Sequence, residues 1–313
     1  MSFPDRGTLL DLLAGTAGTL ALFLAYVALP LVGMLPGVLA PLPGMFYSLK
    51  RGWWAGLTVV ALSAAGIALV SDLPAVVLYL LQCGAMTVLL PLWLGQGQSG
   101  SRALLQTVAV NALLILVGLA IVAVSRDVDP HALVIKGIQE SIAQTATLYQ
   151  KGGIAGDDLQ ALQQGMAQAG VLIGRIYPAL VLLGLACLAA FNLGILQRLT
   201  RRLPQPLVLE PFTGFRNPDF LVWGLIAAGF ALLVPVTPIR TVALNILALA
   251  LFLYFVQGLA VVMNLLQRYA VPPLVRWVVY ILLGLQPYLM VAVVLLGLFD
   301  LWGDFRTPKS KNL

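Results

Sequence analysis

Residues 171–218 read VLIGRIYPALVLLGLACLAAFNLGILQRLTRRLPQPLVLEPFTGFRNP, and their reading decides the fold. From Ile176 to Leu196 the run is apolar and broken only by Asn192; it then passes into Arg198, Arg201 and Arg202 and a proline-rich stretch, Pro204, Pro206 and Pro211. About 20 apolar residues make a helix that crosses a bilayer, and arginines clustered at its exit mark the cytoplasmic face. The same stretch separates an N-terminal multi-helix part from a C-terminal one. The expected division is a six-helix membrane module over 1–200, a cytoplasmic Pro/Arg-rich linker over 201–217, and C-terminal spans with a basic tail over 218–313.

Composition agrees. The chain has 313 residues, 60% hydrophobic and 10% charged, with mean hydropathy +0.97. Soluble domains carry roughly 25% charged residues, so most of this chain does not face water. The fold class is all-α, a polytopic bundle of eight to nine spans. The net charge of +6 sits beside apolar runs, as headgroup anchoring requires, and does not point to nucleic acid. Cys83 and Cys187 fall inside expected spans, where they act as small apolar residues. The start, MSFPDRGTLLDLL, carries both charge signs and no cleavage site, and reads as the cytoplasmic lead into the first helix.

Outward from that stretch, span one covers Thr8–Leu29, with small residues Ala14, Gly15, Gly18 and Ala25 on its face for close helix contact. Residues 30–49, PLVGMLPGVLAPLPGMFYSL, hold four prolines (Pro30, Pro36, Pro41, Pro43) and three glycines. Proline removes a backbone donor and clashes with the preceding turn, so this segment is a broken span or a re-entrant loop whose freed carbonyls need partners inside the protein. Lys50 and Arg51 follow, with Trp53 and Trp54 as interface anchors. Spans three to five cover about 55–70, 75–94 and 103–124. Residues 125–170 are polar and contain two amphipathic helices, the first carrying Leu133, Ile138, Ile142, Ala146 and Tyr149 at helical spacing. Lys151-Gly152-Gly153 breaks it, and Asp157 or Asp158 starts the second, which runs into span six. The pair is expected to form an extracytoplasmic lid. Spans seven to nine cover 220–234, 241–266 and 274–299, the last interrupted at Gln286-Pro287. Nine crossings put the C-terminus outside, whereas Arg306, Lys309 and Lys311 argue for inside, so one late segment does not cross as drawn.

No ionisable residue falls in the middle of an expected span, which argues against a proton pump. The polar groups left there are amides. Candidate cavity or structural residues are Pro36, Pro41, Pro43, Tyr47, Gln82, Asn111, Tyr177 and Asn192, and the cytoplasmic anchor is Arg198, Arg201 and Arg202. A lone His131 without a second ligand makes no metal site. Asp157 and Asp158 suit a helix start better than paired catalysis. Neither GxxxxGK[ST] nor GxGxxG is present. No cofactor and no enzymatic activity are expected.

Two motifs carry a resemblance. Arg175-Ile176-Tyr177-Pro178-Ala179-Leu180 followed by Asn192 and Arg198, with the ending GLFDLWGDFR at Gly297–Arg306, resembles the YybS-like family of predicted bacterial membrane proteins. That resemblance implies a multi-pass protein of the bacterial cytoplasmic membrane and no particular activity. The first half, with six spans, a Pro/Gly-rich early segment and a basic pair, is similar to the substrate-capturing subunits of energy-coupling factor transporters and to the rod-shape protein MreD. The first similarity implies solute capture with other membrane or cytoplasmic subunits as partners. The second implies a scaffold that recruits proteins.

Overall fold

The structure, a computed structural model, describes residues 5–29, 32–153, 156–203, 206–303 and 305–306, without the side chains of Arg126 and Arg202. Pro30, Pro204, Asp304, Lys309, Lys311 and the Arg202 side chain therefore lie outside the described residues. Every regular element among them is helical. The chain divides into two compact units: residues up to 130 with 184–210, and residues 131–183 with 211–313.

In the first unit, α1 (Arg6–Ala28) leads to two short helices, α2 (Met34–Val38) and α3 (Leu42–Arg51). The proline-rich stretch is thus a broken segment that runs back along α1, from Gly37 against Tyr26 to Arg51 against Asp11. Its last turn is fixed by Asp11 of α1, whose carboxylate accepts from Lys50 at 2.8 Å and Arg51 at 2.7 Å. The small face of α1 takes α3 at close range. A Cβ on Gly15 would meet the Tyr47 ring at 2.8 Å, and one on Gly18 would meet Pro43 at 3.2 Å. Ala14 of the same expected face is exposed.

α4 (Trp53–Val70) and α5 (Leu73–Tyr79) are joined by a turn in which the Asp72 carboxylate accepts the Ala75 N–H. A π turn (Leu80–Gly84) then inserts before α6 (Ala85–Gly95), and α7 (Gly100–Arg126) follows. The apolar core gathers Phe23, Val60, Ile67, Tyr79 and Cys83, with Phe23 and Tyr79 edge to face at 5.2 Å.

In the second unit, α8 (Pro130–Lys151) ends where Gly153 takes φ +93°, and α9 (Gly156–Leu199) returns as one long helix with Asp157 and Asp158 in its first turn. As expected from the sequence, α9 runs from the polar insert into the apolar span. Its residues up to 183 belong to this unit and the remainder to the first. α8 packs through Ile135, Ile138 and Ile142 on Gly170 and Gly174 of α9, while Leu133 and Tyr149 of the anticipated apolar face are exposed. α10 (Leu221–Ala231), α11 (Thr237–Arg268), α12 (Pro273–Leu285) and α13 (Pro287–Gly303) complete the unit.

Six helices are long and apolar enough to cross a membrane, or seven if α12 and α13 count as one. The expected count of eight to nine spans is therefore approximate, and three segments account for the difference. The 30–49 segment is broken by proline. α10 has 11 residues, about 16 Å at 1.5 Å per residue, roughly half the hydrocarbon thickness. At Gln286-Pro287 the chain bends by 102°, so α12 does not continue along α13.

α11 and α13 lie antiparallel at a glycine crossing. A Cβ on Gly258 would strike the Val293 carbonyl, and one on Gly297 the Tyr254 carbonyl. Small residues let backbones meet this closely where lipid supplies no hydrophobic drive. Gly258→Ala and Gly297→Ala should each cost about 1–3 kcal/mol or more, the cost of overpacking a tight contact. In detergent, scanning fluorimetry should show a clear fall in Tm for both. Gly224→Ala, with open space around its Cβ, should leave Tm unchanged.

Candidate functional site

α11 carries an arginine near each end, Arg240 and Arg268, 28 positions apart. At 1.5 Å per residue that is about 42 Å, close to the 40–45 Å between headgroup regions. Tyr254 stands halfway. α13 runs beside the later half of α11, with Gly297 against Tyr254. α10 lies beside the earlier half, where Gly224, Ala228, Ala243 and Ile246 line one apolar groove. Both halves expose large apolar side chains, Trp223 and Phe230 on α10 and Val291 and Phe299 on α13, so both belong in lipid. The inner ends of α10 and α13 consequently fall beside the middle of α11, with the irregular residues 213–217 next to them.

At that level the charges converge. Asp300 of α13 is 0% exposed. Its Oδ2 accepts from the Arg306 guanidinium at 2.8 Å and from Gln257 Nε2 of α11 at 3.0 Å. Arg216 Nε stands 4.0 Å away and that side chain is 50% exposed. Gln257 Oε1 accepts the Asn217 N–H at 3.1 Å, and Asn217 Nδ2 donates to the Leu253 carbonyl at 2.8 Å. Arg306 also donates to the Thr213 carbonyl at 2.9 Å. Three buried atoms have no protein partner: Asp300 Oδ1, Arg306 Nε and the Tyr254 hydroxyl. Asp300 falls in the last turn of α13, one residue past the expected span, which ends at Phe299 because the residues after it read as a tail. The available signal was a single carboxylate inside the run 288–302 with an arginine six positions on.

A second cluster lies on α9. Pro178 interrupts the helix, and Asn245 of α11 inserts its carboxamide there. Oδ1 accepts the Ala179 N–H at 2.8 Å and Nδ2 donates to the Arg175 carbonyl at 2.8 Å. Those two backbone groups pair with each other in an uninterrupted helix. Tyr177 stacks on His131, ring centroids 5.7 Å apart, with its hydroxyl 3.3 Å from Nδ1.

The residues singled out in the first unit fall into two places. Pro36, Pro41 and Pro43 lie in the segment that Asn192 reaches, where Asn192 Nδ2 donates to the Val38 carbonyl at 2.7 Å and Thr87 Oγ1 to the Pro41 carbonyl at 3.4 Å. Tyr47 packs on Gly15 and under Lys50, 5.7 Å from the ring centre. Gln82 lies in the π turn, and Asn111 of α7 is level with it across the α6–α7 hairpin; α7 touches that turn. Asn111 is buried, and neither carboxamide atom has a protein partner. Arg198 and Arg201 are exposed. Tyr177 is in the other unit, apart from this set.

A family model described as predicted membrane protein, DUF2232, matches residues 17–301. The chain belongs to this family. The match spans nearly the whole bundle and takes in Asn217, Gln257 and Asp300, stopping short of Arg306. Comparison with the curated proteins and with the solved structures finds no match.

Asn245→Ala would leave the Arg175 carbonyl and Ala179 N–H without their bridge, at about 1–3 kcal/mol for the buried Ala179 N–H left unpaired. The expected result is a lower Tm than wild type. Pro178→Ala in the same chain should recover part of that loss, because the helix can then close its own bonds. Strict additivity of the two substitutions would count against the bridge.

Proposed function

We propose that this DUF2232 protein is the solute-handling membrane component of a bacterial cytoplasmic-membrane transport system, with no enzymatic activity of its own. The observation that carries the reading is the buried Asp300–Arg306 pair beside the middle of α11, where α13 ends and the chain enters α10. Ionisable groups at that depth are costly and tend to mark solute or ion pathways. Half-helices ending at the midplane beside a continuous helix are a recurrent way to build such a site. Arg216 supports it further: a guanidinium half exposed at that level is tolerated only against water or protein. The broken segment around Pro36–Pro43 and the unpartnered Asn111 add polar interior in the first unit. With the N-terminus and the Arg198–Arg202 cluster placed in the cytoplasm, partner subunits that supply energy would meet that face.

A second reading, a non-transporting scaffold that recruits protein partners, draws on a different observation. Asn192 and Asn245 direct their amides to backbone groups of their own unit and leave little for a solute.

Native mass spectrometry of the detergent-purified full chain from its own membrane separates the two. Transport predicts a bound small molecule or an ATP-hydrolysing subunit in stoichiometric amount. An empty protein accompanied only by other membrane or cytoskeletal proteins would overturn it and leave the scaffold.

A further inference from the structure

We infer that the groove between α10 and α11 is a binding site for an anionic phospholipid, with one acyl chain along the groove and the headgroup phosphate on Arg240. The inference is independent of the solute reading and concerns a different part of the same unit.

The groove supplies the seat for the chain. It measures about 460 Å³ and its lining residues are apolar, a volume within the roughly 300–1,000 Å³ of small-molecule pockets. Side-chain size keeps it open. Gly224, Ala228 and Ala231 recur at helical spacing on one side of α10 and share the groove with Ala243 of α11. A Cβ on Gly224 would meet nothing within contact distance. Small residues ordinarily let two membrane helices close on each other, yet here the space between them stays free. Along α11 the lining runs from Pro238 to Ile246, about 12 Å at 1.5 Å per residue. One leaflet of hydrocarbon is about 15 Å deep, half of the bilayer core. The groove therefore has the length of a chain in one leaflet, whereas a partner helix crossing the bilayer needs a seat roughly twice as long.

Charge decides the headgroup. The groove ends at Ala231 and Pro238, where residues 232–236 turn the chain from α10 into α11. Arg240 reaches over that turn, its Nε donating to the Val234 carbonyl at 2.9 Å. This bond holds the guanidinium at the end of the groove that faces the headgroups and leaves its outer N–H groups for a ligand. Arg240 is exposed and is the only charged residue between Asp219 and Arg268. The first turn of α11 has no acidic residue and its N-cap no side-chain hydrogen bond. A cation there stands against the helix dipole, which favours negative charge at an N-terminus. A phosphate answers both, because it suits the guanidinium fork and the dipole together. A zwitterionic headgroup brings an ammonium beside Arg240, so the site favours a lipid of net negative charge.

The test uses the delipidated full chain in detergent. The probes are phosphatidylglycerol, phosphatidylethanolamine and diacylglycerol with the same acyl chains, and inorganic phosphate. Native mass spectrometry reads retention, and Tm shifts read affinity. Wild type should retain phosphatidylglycerol in stoichiometric amount and bind it more tightly than the other three. Arg240→Gln should weaken it about fivefold, the effect of one arginine beside anionic headgroups, and remove the preference over phosphatidylethanolamine. Ala227→Leu, at an exposed position of the lining, should weaken phosphatidylglycerol and diacylglycerol by the same factor and keep the preference between them. Should either variant not fold, the milder Arg240→Lys or Gly224→Ala takes its place, with a smaller loss in the same direction. Four results would each overturn the inference. They are equal binding of the three lipids by wild type, phosphatidylglycerol binding that either substitution leaves unchanged, the same Tm shift from inorganic phosphate alone, and a dimer of the chain that Ala227→Leu dissolves.

Discussion

A backbone amide or carbonyl at membrane depth has no water to bond to, and this one constraint governs where the chain is permitted to break. Three of the described breaks have side chains assigned to them. Asn192 and Thr87 reach the carbonyls of Val38 and Pro41 in the proline-rich segment. Asn245 bridges the α9 backbone at Pro178. Gln257 and Asn217 tie the irregular residues before α10 to α11. Without these bonds each break would leave buried polar groups costing about 1–3 kcal/mol apiece. With them, short elements that do not cross can stay inside the bundle.

Those short elements account for the conflict in the loop charges. Counting α10 and α12 with α13 as full crossings gives a chain whose basic tail lies on the wrong side. As a half-length helix and a pair bent by 102°, they no longer oblige the chain to change sides each time. The place where α13 ends also has a chemical consequence. It brings Asp300 and, just past the helix, Arg306 beside the middle of α11, away from both of its ends. Neither could persist there alone; at 2.8 Å each offsets the other's desolvation, and removing one partner of such a buried pair typically costs 3–5 kcal/mol.

Much of this was legible from the residues. The helical class followed from the length of the apolar runs, the break at 30–49 from proline chemistry, and the α8–α9 insert from its polar composition and glycine stop. Asn192 stood out because it interrupts an apolar run, and it proves to hold the broken segment. Three things were hidden. The π turn at Leu80–Gly84 leaves no mark in hydrophobic pattern, since one added residue in an apolar helix changes its face and not its composition. The length of α10 was obscured because the apolar run 220–234 continues through residues that turn. Asp300 was hidden by position: at the edge of a run a carboxylate reads as the start of a tail, and only the Gly258–Gly297 crossing shows how deep that edge lies.

The amides separate by what their atoms do. Asn245 uses both its Nδ2 and Oδ1 on one interrupted helix, and Gln257 uses both ends of its carboxamide between Asn217 and Asp300. Such residues are accounted for by repair of the backbone or by holding a neighbour. Asn111 has no such task. It sits in an unbroken stretch of α7, wholly buried, level with a π turn, and neither of its polar atoms has a protein partner. A helix gains nothing from a buried amide in that state, whereas leucine there would avoid the desolvation cost. Stability therefore does not explain Asn111, nor the unpartnered oxygen of Asp300. Both are among the buried polar atoms of the described residues that have no protein partner.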